Sequence, residues 1–278
     1  MTSLVLSATQ IDALRKHPHQ HKYDHGHLLV LSGPRHQTGA ARLAAISALR
    51  AGAGLVTMGA TERTLPELAA HCTEVMLAQI ETGAALSAML DADQRVNALC
   101  IGPGLRVDRH GGDLVMHALQ SKRPCVLDAD ALTLIAQNDA LRSDVHDTCV
   151  LTPHMGEFKR LFPDINIDDK AKAAQTAADQ IGSVILLKGS QTVIAMPGGK
   201  PATLDSSKMK NAPWLATAGA GDVLAGIIAG LLARGIEPVE AAQIGAVLHL
   251  HAAGAKGPGL VAGDLPYLLP KALQDLGV

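Results

Sequence analysis

The sequence predicts a three-layer α/β/α sandwich on a mostly parallel central sheet with an edge hairpin. Three observations carry this. Short continuous apolar runs recur along the chain, the pattern of strands covered on both faces. Segments of helical spacing separate them, and strand–helix alternation implies right-handed βαβ crossovers. Hydrophobic residues make up 47% of the 278 and charged residues 18%, enough apolar material to bury one large core.

The predicted strands cover 28–32, 55–59, 98–102, 125–128, 149–152, 184–187 and 192–196. Between them, 39–53, 112–121, 156–162 and 169–182 read as helices. The runs 192–196 and 202–205 flank Pro197-Gly198-Gly199-Lys200, which reads as the turn of a hairpin. The last third changes to three consecutive helices, 221–234, 239–255 and 264–276. No linker composition, charge block or internal repeat interrupts the chain, so residues 1–278 read as a single domain.

Composition excludes several classes of function. Aromatics are only 2%, too few for a base-stacking nucleic-acid binder, and the formal charge of −2 gives no general attraction to phosphate polymers. Any phosphate site must be local, and a nucleotide's rings should meet aliphatic walls. Cys72, Cys100, Cys125 and Cys149 are widely spaced without a C-x-x-C pair, and three of them sit in or beside apolar runs, where cysteine acts as a small hydrophobe; a reducing compartment is expected. The start lacks a basic segment followed by an apolar block, and no apolar run reaches about 18 residues. The expectation is a cytoplasmic protein that does not cross a membrane. His17, His19, His21, His25 and His27 are irregularly spaced in a loop, which does not suit a structural metal.

Glycine-rich or polar residues stand at five strand ends: Ser32-Gly33, Gly102-Pro103-Gly104, Asp128-Ala129-Asp130, Thr152-Pro153-His154 and Lys188-Gly189. Ligands of open α/β sheets bind outside the carboxyl ends of the strands, so these segments predict one crevice. Gly219-Ala220-Gly221-Asp222 opens a helix, where small residues and free N–H groups make an anion hole. Asp222 lies in the first turn, which favours its ionised form; it is either a cap or a base that takes a proton from an attacking hydroxyl. His154 and Glu157 share a first helical turn, and Glu157 suits Mg²⁺ held through water; capping is the plainer reading. Lys188, Gly189, Ser190, Gln191 and Thr192 form a loop able to reach a nucleotide phosphate. Asp128 and Asp130 read either as paired carboxylates or, for Asp130, as the cap of 131–137. His249 and His251 read as packing or surface residues, and Trp214 either shields the site or packs. Neither a P-loop nor a G-x-G-x-x-G fingerprint follows the first strand.

In order along the chain stand His21-Lys22, Thr38-Gly39-Ala40, Ala51-Gly52-Ala53-Gly54-Leu55-Val56-Thr57 and Gly102-Pro103-Gly104-Leu105. They are followed by Leu127-Asp128-Ala129-Asp130-Ala131-Leu132, Leu151-Thr152-Pro153-His154-Met155-Gly156-Glu157-Phe158, Lys188-Gly189 and Ala216-Thr217-Ala218-Gly219-Ala220-Gly221-Asp222. Together they resemble the ADP/ATP-dependent NAD(P)H-hydrate dehydratases, a branch of the ribokinase-like superfamily. The resemblance implies a ribokinase-like sandwich and a repair reaction, in which ADP or ATP drives dehydration of NAD(P)H hydrate. It implies that Ala40, Gly104, His154 and Asp222 line the hydrated dinucleotide, with Asp222 assisting phosphorylation of the hydroxyl. Lys188, Gly189, Ser190, Gln191, Thr192 and Gly221 would contact the nucleotide, Gly219, Ala220 and Gly221 would form the anion hole, and Glu157 would serve Mg²⁺. It further implies a homo-oligomer, a tetramer, and a separate NAD(P)H-hydrate epimerase as functional partner. The alternative is a kinase of the same superfamily acting on a small vitamin-precursor alcohol; a non-catalytic nucleotide sensor would need neither Asp222 nor Glu157.

Overall fold

The computed structural model describes residues 2–207 and 209–278, with Met1 and Lys208 outside the description. The first half alternates β1 (Thr2–Ser3), α1 (Ala8–Asp12), β2 (His27–Leu31), α2 (Gly39–Arg50), β3 (Leu55–Ala60), α3 (Leu65–His71), β4 (Met76–Gln79), α4 (Gly83–Ala92), β5 (Val96–Ile101) and α5 (Arg109–Gln120). Then come β6 (Cys125–Leu127), α6 (Asp130–Ala136), α7 (Asp139–Asp144), β7 (Cys149–Leu151), α8 (Met155–Leu161), α9 (Lys170–Ile181), β8 (Val184–Leu187), β9 (Gln191–Ala195) and β10 (Ala202–Asp205). Three helices close the chain: α10 (Ala220–Ala233), α11 (Pro238–Lys256) and α12 (Leu265–Asp275).

Among the described residues the sheet runs β1-β10-β9-β8-β7-β6-β5-β2-β3-β4. Its pairs are parallel except those of β9 with β8 and with β10; the β9–β10 pair is the predicted hairpin. Alternation along the strands assigns each residue to a layer. Leu28, Val30, Ala98, Cys100, Val126 and Val150 pack under α2, α10, α11 and α12. Leu29, Leu31, Leu99, Ile101, Leu127 and Leu151 pack under the helices from α4 to α9. The three expected layers are therefore present, with both sheet faces buried.

The α2–α10 contact is the closest helix packing in the first of these layers. A Cβ placed on Gly226 would lie 2.1 Å from the Ala44 carbonyl oxygen, and one on Gly230 would lie 2.8 Å from Ala48 Cα. The glycines let the two backbones touch.

Some elements depart from expectation. Strand β4, Met-Leu-Ala-Gln, is a half-exposed edge and carries no continuous apolar run. The helix predicted over 112–121 starts at Arg109, where Asp108 accepts the Gly111 N–H at 2.9 Å. Two glycines there suggest a loop, yet Gly111 sits in the first turn because a Cβ would meet the Arg106 carbonyl oxygen at 2.3 Å. No helix among the described residues is long and apolar enough to cross a membrane.

Candidate functional site

The five marked segments follow β8, β7, β6, β5 and β2, which are consecutive neighbours in the sheet. Because these strands are parallel, their C-terminal ends lie on one edge, outside which ligands of open α/β sheets bind.

At the end of β6, Asp128 is only 2% exposed, and its Oδ1 accepts a hydrogen bond from Lys188 Nζ at 2.8 Å. The next residue, Ala129, takes φ +49°, a sparsely allowed conformation for a side chain with a Cβ, and costs on the order of 1–3 kcal/mol. The turn splits the two acids. Asp128 faces Lys188, while Asp130 Oδ2 accepts the Arg106 N–H at 2.8 Å. Asp130 is thus neither half of a carboxylate pair nor the cap of α6; it is that helix's first residue, and Ala129 holds the cap position.

Gly219 holds the N-cap position of α10, and its φ of +90° and lack of room beside Leu43 and Ala262 both demand glycine. The Ala220 N–H donates to the Thr217 carbonyl at 3.3 Å, so helix geometry leaves the N–H groups of Gly221 and Asp222 open. A Cβ on Gly221 would lie 3.3 Å from Lys188 Nζ and 3.8 Å from Asp128 Oδ2. The helix end, the β8 loop and the β6 end therefore meet at one point. Asp222 is in the first turn but not capping it. Burial first, then the Asp128 charge, push its carboxyl up to about 6, with Lys188 pulling the other way. The sequence expectation of a helix end that simply favours the anion is corrected: desolvation and neighbouring acids outweigh it.

Beside this point lies a cavity of about 480 Å³ lined by Lys188, Gly189, Ser190, Thr192 and Gly221. Its remaining walls include Ala212, Pro213, Leu215 and Leu224, the aliphatic surface anticipated for a nucleotide's rings, together with Ser206 and Ser207. Gln191 is exposed on β9 and is not among the lining residues. Trp214 is 43% exposed and also stands outside the lining, while its neighbours line the wall.

On the other side, Gly104 and Ala40 come together, since a Cβ on Gly104 would be 3.4 Å from that of Ala40. Gly33 lies under the same turn, its position filled by the Gly104 carbonyl oxygen. His154 and Glu157 make a reciprocal capping box at the start of α8. His154 Nδ1 accepts from the Gly156 and Glu157 N–H groups at 2.9 and 3.2 Å, and Glu157 Oε2 accepts the His154 N–H at 2.8 Å. With Nδ1 an acceptor, the imidazole proton sits on Nε2, which is 3.4 Å from Glu157 Oε1. Both oxygens of Glu157 thus face His154.

Residues 28–274 match the family described as NAD(P)H-hydrate dehydratase. The chain belongs to that family. A bifunctional NAD(P)H-hydrate repair enzyme of Moorella thermoacetica is 40% identical over 278 residues, covering 94% of this chain and 52% of the relative. The chain spans about half the length of the curated relatives it matches. The ADP/ATP-dependent NAD(P)H-hydrate dehydratase of Bacillus subtilis, crystallised with ATP and Mg²⁺, superposes with a TM-score of 0.78 at 28% identity, covering 97% of each chain. A ribokinase-like superfamily protein of Enterococcus faecalis, 24% identical, shares the fold with a TM-score of 0.82 over 98% of this chain and 95% of its own.

The family motifs locate Asp222, Lys188 and His154 but not all that surrounds them. Glu67 accepts hydrogen bonds from Thr38 Oγ1 at 2.6 Å and the His36 N–H at 2.8 Å, fixing the loop before α2. These two bonds, Thr38 first, hold its carboxyl below the usual range. Lys170 Nζ donates to the Lys188 and Gln191 carbonyls, clamping the 188–191 loop from α9. His249, 8% exposed on α11, lines the cavity, and burial pushes it down to about 4, so it is neutral at physiological pH. None of the three carries a local sequence signal, because each acts through a partner distant in the chain.

Proposed function

We propose that this chain catalyses ADP-dependent dehydration of the S-epimer of NAD(P)H hydrate to NAD(P)H, releasing AMP and phosphate. One observation carries the reading: Gly221 brings the open helix end of Asp222 against Lys188 and Asp128, beside the cavity that Lys188 and Gly221 line. This proximity supports reading Asp222 as the base and the 188–192 loop as the phosphate-binding loop.

In this reading Asp222 accepts the proton of the substrate's C6 hydroxyl as its oxygen attacks the terminal phosphoryl group of ADP. The new O–P bond forms as the bond to AMP breaks. Hydroxide leaves poorly and phosphate leaves well, so the ring nitrogen lone pair then expels phosphate and C5 gives up a proton. The water of the hydrate ends in inorganic phosphate, and the equation balances. Lys188 and the N–H groups of Gly221 and Asp222 offset the charge that gathers on the transferred group. Asp128, Asp130 and Glu157 act on Asp222 through their charges, and such hard carboxylate oxygens suit Mg²⁺, with Glu157 acting through water. When bound with the nucleotide, the ion neutralises charge on the phosphates. ATP would serve by the same chemistry with ADP as the leaving group.

Turnover of one epimer calls for an NAD(P)H-hydrate epimerase as functional partner; homotetramer formation rests on the family resemblance. Four free cysteines, three of them buried, support a reducing cytoplasm as the setting.

Hydrated NADH incubated with the protein, ADP and Mg²⁺ should recover the near-ultraviolet absorbance of NADH, with AMP and phosphate in equal amounts. Asp222→Asn should cut this rate by about 10²–10⁴-fold. Accumulation of a stable phosphorylated compound without recovered absorbance would instead identify a superfamily kinase.

A further inference from the structure

The opposite edge of the sheet, at the N-terminal ends of β6 and β7, holds a second cluster that the reaction does not use. Cys125 opens β6 and Cys149 opens β7, and the two are direct partners across the parallel pair. Both are fully buried, with their Sγ atoms 3.3 Å apart. His146, in the loop leading into β7, joins them: one donor atom from each of the three residues lies within 4.8 Å of the others. No other group of His, Cys, Asp or Glu among the described residues meets that condition. His146 Nδ1 pairs with Thr148 Oγ1 at 2.8 Å, while its Nε2 is buried without a hydrogen-bond partner among the described residues. One of the two ring nitrogens lies beside the thiols, and an unpaired buried nitrogen on that same imidazole calls for an explanation.

We propose that Cys125, Cys149 and His146 form a binding site for one thiophilic cation of the Zn²⁺ or Cu⁺ class. Two sulfurs and an imidazole are the donor set that selects such ions over Mg²⁺ or Ca²⁺. The distances agree. Two thiolates bound tetrahedrally to Zn²⁺ stand about 3.8 Å apart, so the observed 3.3 Å must open by only about 0.5 Å. A disulfide would need the same sulfurs to close to about 2.05 Å, a larger movement, and would leave the histidine unexplained. Binding releases the two thiol protons to solvent, so affinity rises with pH. The strands give the site its separation: Asp128 follows the last residue of β6 and Thr152 that of β7, so ion and substrate occupy opposite edges.

The test uses the full chain, reduced and stripped by a chelator, and titrated with Zn²⁺ alone or with Cu⁺ delivered from a chromophoric chelator. The expected result is one equivalent bound by at least one of the two ions, a sulfur-to-metal charge-transfer band when Co²⁺ replaces Zn²⁺, and a metal-dependent rise in Tm. Cys125→Ala and His146→Gln should each weaken binding by about tenfold or more and abolish the rise. His146 is only half-buried, so its variant keeps the test decisive if Cys125→Ala does not fold. Uptake of neither ion, or wild-type affinity in His146→Gln, overturns the proposal. So does loss of two thiols and two mass units without metal, which would establish a disulfide.

Discussion

A carboxylate in the first turn of a helix normally gains from the dipole and the open N–H groups. At Asp222 burial and the Asp128 charge win, and the group titrates at about 6. A base must be ionised to act, so the dehydration rate should fall as pH drops through about 6. Lys188 opposes the upward shift; Lys188→Met should therefore move this acid limb to higher pH, which a pH–rate profile would register. The same shift affects stability. The unfolded chain ionises Asp222 near about 3.9, and the raised folded value means its contribution is favourable below that pH and lost as pH rises through about 6. Asp222→Asn should consequently be more stable than wild type at about pH 7.5, by on the order of 1–2 kcal/mol for a partly screened group. The difference should shrink toward about pH 4, as urea unfolding at both values would reveal. Asp222, Gly221 and Lys188 were legible because their motifs are contiguous in sequence. Glu67, Lys170 and His249 were not, since their meaning lies in a carbonyl, a hydroxyl or a cavity supplied by another part of the chain.

Among the elements, α10 carries the site and α2 carries α10. Gly226 lies one turn beyond Asp222 and meets the Ala44 backbone, which cannot rotate away as a side chain would. Gly226→Ala should cost about 3 kcal/mol or more and lower the denaturation midpoint, despite alanine's better helix propensity. An increase in stability would mean that the helices are not seated this closely. The strands buried on both faces and the long helices were readable from period and apolar content. Edge strand β4 and the starts of α5 and α6 were not: an edge strand lacks the apolar run, and a helix end is set by tertiary neighbours such as Arg106.

Across the whole molecule, the site draws on both layers, with Asp222 from α10 on one face and His154 at the head of α8 on the other. Ligand binding should tighten both. ADP at about a hundred times its Kd should add about 2.7 kcal/mol, or about 5–10 °C in Tm for a chain of this size. Gly221→Val, which crowds Lys188 Nζ, should lose that shift in a thermal melt. The layer order followed from strand–helix alternation alone; which strands neighbour one another, and hence which loops meet, required the structure. The glycine seam between α2 and α10 also bears on how such a molecule can change over generations. Drift along Gly226 or Gly230 would move Asp222 together with its helix, so inherited variation is forced outward. New specificities on this frame must arise in the strand-end loops, while the Asp222 carboxylate stays where the seam holds it.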